Sequence, residues 1–292
     1  MLKKQISLLL VLFLCLNFFP LFGYDSDKNS DSETEKSNTK ENGDDPFFKA
    51  LLKDEAEIWT APLRFSLKDW AIVAGMSAFT GYLISKDESI YSRFKAYQEK
   101  NKWVDDVSPI MTLLGDGNVS LGISGFFYLS GFALKDEKAK DTGKLVLMSL
   151  IHSGVVVQLL KHLTGRQRPE AENGIDKWDG PSGFFKRYKD NRDMYYDAFP
   201  SGHTITVWST ATVIAHQYNK SVFVPILSYG LATLSGLSRI TEDTHWLSDV
   251  FVGAVLGFAI GKFIYRKRSR KFIVMPLIGN GKTGINIGFK LR

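Results

Sequence analysis

HTITVWSTATVIAHQYNKSVFVPILSYGLATLSGL, residues His203–Leu237, is the stretch that decides the fold. Two apolar runs, His203–Tyr218 and Val222–Leu237, flank Asn219-Lys220-Ser221, a connection so short that helices on either side of it must pack as an antiparallel hairpin. Apolar segments of the same kind recur outward at Trp70–Ile84, Val107–Leu134 (interrupted by Gly115-Asp116-Gly117-Asn118), Lys144–Leu163 and His245–Tyr265. Six such segments with no strand-like run between them predict an all-α fold, a six-helix bundle. Phe48–Trp59 precedes them as an amphipathic stretch with Lys53, Asp54, Glu55 and Glu57 on its polar face, expected to lie across the bundle or on a membrane surface. At the C-terminus the pattern changes to alternation, Ile285, Ile287, Phe289 and Leu291 after Gly279-Asn280-Gly281, which predicts a short β-hairpin over residues 272–292.

The composition limits what such a bundle is for. With 292 residues, 44% of them apolar, the chain can bury a sizeable core, which excludes wholesale disorder and a fibrous repeat. A single cysteine excludes an intrachain disulfide framework or a cysteine-based zinc site. The mean hydropathy of −0.09 is low for a protein made only of membrane spans. The formal charge of +6 conceals an asymmetry. Residues 24–46 hold eight acids against three lysines, a net of −5; setting these and the leader's Lys3 and Lys4 aside leaves residues 47–292 at +9. An anionic partner is therefore expected of the folded part. Nucleic acid is not that partner, because the cations gather at helix ends and in one run, without an interleaved aromatic platform.

Residues 1–23 read as an export signal: Lys3 and Lys4, an apolar run Ile6–Phe19, and the small residue Gly23. The expected organisation is thus signal peptide 1–23, disordered acidic linker 24–46, amphipathic lead-in 47–68, helical domain 69–271 and hairpin tail 272–292. Lys144–Leu163 and His245–Tyr265 approach the roughly 20 apolar residues that a membrane span needs; Trp70–Ile84, His203–Tyr218 and Val222–Leu237 fall short. The expectation is a protein integral to the inner, cytoplasmic membrane with its site facing the periplasm or exterior, the alternative being a soluble periplasmic bundle. A parity conflict comes with it. The run Arg266-Lys267-Arg268-Ser269-Arg270-Lys271 belongs in the cytoplasm by the positive-inside rule, yet an exported N-terminus followed by six crossings would end outside.

Chemistry is concentrated in three clusters at helix ends. Lys161-His162-Leu163-Thr164-Gly165-Arg166-Gln167-Arg168-Pro169 closes one helix, Pro200-Ser201-Gly202-His203 opens the next, and Ser238-Arg239 with His245 and Asp249 joins the last two. With antiparallel neighbours all these ends share one end of the bundle. Lys161, Arg168 and Arg239 then converge on a helix N-terminus whose free N–H groups already favour anions; Ser201 adds a hydroxyl and Gly202 leaves the backbone approachable. Such a site fits a phosphate. His245 and Asp249, four apart on one helix, share a face, so the carboxylate is expected to hold one ring nitrogen while the other attacks phosphorus; His203 is placed to protonate the leaving oxygen. Dense positive charge stabilises the transition state, and neither a metal nor a cofactor is called for.

In order and spacing the clusters resemble the signature of the type 2 phosphatidic acid phosphatase and vanadium haloperoxidase superfamily: Lys-x6-Arg-Pro, Pro-Ser-Gly-His, and Ser-Arg-x5-His-x3-Asp. The resemblance implies the family's helical core over about Trp70–Tyr265 and phosphomonoester hydrolysis through a phosphohistidine at His245. It implies Asp249 as orienter, His203 as acid, and Lys161, Arg168, Ser201, Gly202 and Arg239 as the phosphate cradle. The substrates it implies are lipid phosphates, polyprenyl diphosphates or soluble phosphomonoesters. Two other functions share the signature: a vanadate-dependent haloperoxidase and a non-catalytic membrane bundle that binds anionic lipid. His162 and Arg166 match no fixed position and are read as structural, His152 and His216 as core or surface residues. The aromatic and charged connection Glu170–Phe199 is either a lid beside the site or a solvated link packed by its own rings. Oligomeric state is not legible.

Overall fold

The computed structural model describes residues 47–171, 177–183 and 196–268, together with the backbone of 271–279 and 282–290. The expected signal peptide and linker, and most of the Glu170–Phe199 connection, lie outside the described residues.

Eight α-helices and one 3-10 turn, rather than six helices, make up the helical part of the described residues. The lead-in is α1, Phe47–Thr60. Next comes α2, Leu67–Lys100, opened by a capping box in which Ser66 and Asp69 bond each other's backbone N–H. It runs far beyond the expected Ile84, because Ser85–Lys100 holds no proline or glycine and is rich in helix-forming Lys and Glu. The segment expected over Val107–Leu134 is two helices, α3 (Trp103–Leu113) and α4 (Gly117–Ala133), with Asp116 capping the second through Asn118 N–H. Then follow α5 (Glu137–Thr164), α6 (Gly202–Gln217), α7 (Phe223–Thr241) and α8 (Leu247–Arg268). The last two strands, Lys271–Gly279 and Lys282–Lys290, pair antiparallel with Lys271 opposite Lys290.

Side-chain bonds fix which helix ends meet. Ser108 and Thr112 of α3 bond Thr241 and Ser238 of α7 at 2.7 and 2.8 Å. Ser124 of α4 donates to the Gly143 carbonyl of α5 at 2.8 Å, and Thr210 of α6 reaches Ser120 of α4 at 3.3 Å. At the opposite end Gln217 of α6 donates to the Lys138 carbonyl of α5. There too α1 is tied to the bundle: buried Asp54 receives Arg268 at 2.7 and 3.1 Å and Lys267 at 2.8 Å, while Glu55 bonds His152 of α5 at 2.6 Å. His152 is therefore a core residue that anchors the lead-in, and His216 bonds its own helix at Thr212.

A close seam lies between α6 and α8. Gly253, Gly257 and Gly261 recur every fourth residue of α8, and a Cβ on them would lie 2.8, 2.5 and 2.6 Å from the carbonyls of Ser201, Ile205 and Ser209 of α6. Glycine there lets the two backbones approach, which holds the beginnings of both helices in one register. By length and composition α5, α7 and α8 can each cross a membrane. The expectation for Val222–Leu237 is corrected by this, since α7 continues to Thr241 and reaches 19 residues.

Gly257→Ala should destabilise the protein by about 1–3 kcal/mol through overpacking, read as a lower thermal midpoint in detergent. Gly75→Ala, where nothing stands within 4 Å of the new Cβ, should be neutral or raise it.

Candidate functional site

The C-terminal end of α5 is closed by Gly165, whose φ of 52° is left-handed and suits a residue without Cβ. The chain then turns back across the bundle's end, and the three clusters meet there. Lys161 Nζ lies 3.1 Å from Asp197 Oδ2, and Arg168 Nε donates to the other oxygen of the same carboxylate at 2.8 Å. Ser201 caps α6, accepting from Thr204 N–H, and its own N–H donates to the Asp249 carbonyl at 3.1 Å. A Cβ on Gly202 would meet nothing nearer than Lys161 Nζ at 3.7 Å, so what this glycine leaves open is space beside the ammonium rather than relief of a clash. Arg239 donates to Thr112 at 3.2 Å and to Glu242 at 2.8 Å, while its buried Nε has no hydrogen-bond partner among the described residues. An orphaned donor in a buried guanidinium costs free energy until an acceptor arrives.

His245 stands at the centre. Its side chain is buried and Nδ1 lies 2.7 Å from the Ala198 carbonyl, which sets Nδ1 as the N–H and leaves Nε2 with a free lone pair. Asp249 is 3.7 Å from the same nitrogen, beyond hydrogen-bond range. The expected Asp249–His245 bond is thereby corrected: a backbone carbonyl from the neighbouring loop fixes the ring, and Asp249 instead accepts Trp246 N–H at 2.8 Å and pairs with Arg166. The turn carrying His245 is itself clamped by α2. Asp243, at a left-handed φ of 60°, receives Tyr91 at 2.7 Å and Lys95 at 3.0 Å.

The electrostatics follow the burial. Burial, then the charges of Arg168, Lys161 and Arg239, hold the His245 imidazole well below its ordinary range, against the pull of the Ala198 carbonyl. For His203 burial and the Arg239 guanidinium lower the ring to about 4, with Asp116 opposing. Burial alone would push the Asp197 carboxyl up, but Lys161 and Arg168 keep it below the usual carboxylate value. Both imidazoles are thus held towards the neutral form among three cations.

All eight expected residues lie at this end of the bundle. Four further groups were missed: Asp197, Glu242, Asp87 and Arg166. Asp197 had one faint sequence signal, an acid directly before the apolar Ala198-Phe199. Arg166, read as structural, is fully buried and bonded into the site's supports. His162 bonds its own helix at Gln158.

Residues 143–273, which carry all three clusters, match the model of the PAP2 superfamily. The lipid A 1-phosphatase of Porphyromonas gingivalis is 28% identical over 187 residues, 63% of this chain and 33% of that protein. A probable diacylglycerol pyrophosphate phosphatase of Schizosaccharomyces pombe is 31% identical over 150 residues, 41% of this chain and 52% of that one. Among solved structures, a transmembrane PAP2-type phosphatidylglycerolphosphate phosphatase from Bacillus subtilis is 21% identical and covers 74% of this chain and 91% of its own, at a TM-score of 0.49. The chain spans about a third to a half of the length of the curated relatives it matches first.

The lowered imidazoles set a pH dependence of stability. A histidine whose folded pKa lies below its unfolded value of 6.5 stabilises the fold fully above that value, and the contribution is lost as pH falls towards the folded pKa. The thermal midpoint should therefore fall between about pH 6.5 and 4, as the unfolding free energy drops by up to about 1.4 kcal/mol per pH unit through His203. His203→Gln should shallow that slope.

Proposed function

We propose that the protein is a phosphatase acting on phosphomonoesters of lipids, through a phosphohistidine formed at His245. The observation that carries this reading is the convergence of Lys161, Arg168 and the orphaned Arg239 Nε beside an imidazole whose Nδ1 is already committed to the Ala198 carbonyl. The relatives, a lipid A 1-phosphatase and a probable diacylglycerol pyrophosphate phosphatase, support a lipid phosphate as substrate.

In this mechanism the phosphoryl oxygens sit against Lys161, Arg168, Arg239 and the N-terminal N–H groups of α6, beside the Ser201 hydroxyl. His245 Nε2 attacks phosphorus in line, the P–N bond forms and the bond to the leaving oxygen breaks as His203 delivers a proton to that oxygen. His203 must first be protonated, and the substrate dianion supplies the reason: its charge offsets the cations that, with burial, lower the ring. A water molecule, deprotonated by His203, then attacks the phosphohistidine and releases inorganic phosphate. Asp197 and Glu242 hold Lys161, Arg168 and Arg239 in place between turnovers, and preorganised cations of this kind are the largest contribution to such a reaction.

The proposed setting is a membrane. Beyond the three helices able to cross it, Phe126, Leu129 and Phe132 of α4 and Phe223, Ile226 and Leu227 of α7 are all more than 60% exposed. The bonds from Asp54 to Lys267 and Arg268 put α1 and the basic end of α8 on one side, the opposite end of α8 from His245. We place that basic side in the cytoplasm and the phosphate site outside, which resolves the parity conflict in favour of the positive-inside rule over the cleaved leader.

Purified protein should release phosphate from lipid phosphates in the presence of EDTA, with competitive inhibition by vanadate. His245→Ala should reduce release to background, and His203→Ala should cost about 10²–10⁴-fold. Wild-type activity in His245→Ala would end the reading. For topology, in a Cys15→Ser background Lys102→Cys should react with an impermeant thiol reagent in intact cells, and Lys135→Cys only after permeabilisation; the reverse pattern would invert the placement.

A further inference from the structure

Beside His245, through Asp249, lies a second set of charges. Arg166 is 0% exposed, and so are Asp249 on α8 and Ser248 beside it, with Asp87 from α2 at 1%. Arg166 NH2 donates to Asp87 Oδ2 at 2.7 Å, and NH1 donates to Ser248 Oγ at 2.6 Å and to Asp249. Asp87 in turn accepts Ser248 N–H at 3.0 Å and the Ser248 hydroxyl at 2.5 Å, so it caps the first turn of α8. The guanidinium packs between two indoles, its central carbon 4.6 Å from the Trp178 ring centroid and 5.5 Å from that of Trp246.

Each branch of this network ends on a neighbour of the His245 ring. The side-chain branch runs through Asp249, which accepts Trp246 N–H and lies 3.7 Å from His245 Nδ1. The backbone branch runs from the Arg166 carbonyl, which accepts Ala198 N–H at 3.0 Å, to the Ala198 carbonyl, 2.7 Å from the same Nδ1. Both groups that face Nδ1 are therefore held by one residue. A buried cation facing two buried carboxylates is costly unless every donor is matched, and a planar fork can match them where a point charge cannot.

We propose that Arg166 is the positioning residue for His245: its guanidinium, fixed by Asp87, and its carbonyl together set the imidazole so that Nε2 points at the phosphoryl group. It touches no substrate. The proposal rests on the phosphatase reading, and it adds Asp87, from a helix that contributes nothing to the phosphate cradle, as the residue that holds Arg166.

The test compares Arg166→Lys, Asp87→Asn and His245→Ala in purified protein, measuring kcat, KM, the vanadate inhibition constant and the thermal midpoint. Arg166→Lys should lower kcat by about 10²-fold, as a small misplacement of a reacting atom does, with the vanadate constant within about 2-fold of wild type because the cradle is intact. Wild-type kcat in Arg166→Lys would overturn the proposal. So would a parallel loss of kcat, vanadate affinity and thermal midpoint, the mark of a merely structural residue. If Arg166→Lys does not accumulate, Asp87→Asn, equal in shape, decides: kcat should fall about 5–10-fold with vanadate affinity retained, and an unchanged kcat overturns the proposal. An active His245→Ala would instead remove the phosphatase reading itself, an outcome distinct from an inactive His245→Ala beside an unaffected Arg166→Lys.

Discussion

Cations gathered at one end of a helical bundle repel one another and lose their hydration when buried, and the site end of this protein is built around that problem. Asp197 bridges Lys161 and Arg168, Glu242 holds Arg239, and Asp87 and Asp249 share Arg166. Each pairing offsets a desolvation penalty of several kcal/mol per buried ion, an approximate scale that no surface pair approaches. Arg239 Nε is still without an acceptor among the described residues. Charge balance and the unmet donor thus reside on different atoms of one guanidinium.

The geometry that makes this possible is supplied elsewhere, along the α6–α8 seam. Three glycines of α8 admit the backbone of α6 to van der Waals contact, and the Ser201 N–H bond to the Asp249 carbonyl closes the seam at the site. Ser201, at the start of α6, is placed against Asp249 by that contact. The Trp246 indole, donating to the Gln167 carbonyl at 2.8 Å, does the same for the loop after α5.

At the other end of the bundle the problem recurs with the signs exchanged. Buried Asp54 has Lys267 and Arg268 around it, so the lead-in helix is bound to the end of α8 rather than lying free on a surface. An amphipathic pattern alone does not distinguish those outcomes, since the same polar face serves water, lipid headgroups or a buried ion pair.

Helix identity and the placement of Lys161, Arg168, Ser201, Gly202, His203, Arg239 and His245 at or beside helix ends were determined by the sequence alone, because periodicity, short connections and cluster spacing are local properties. The length of α2 and the separation of α3 from α4 were only half legible, since an amphipathic charged segment carries a weak hydrophobic signal. Tertiary structure alone decided which group holds the His245 ring. The Ala198 carbonyl reaches it from 47 positions away along the chain, while Arg166 and Asp87, 79 and 158 positions away, bond its neighbours, and no local pattern records which carbonyl or carboxylate a fold will bring beside a given nitrogen.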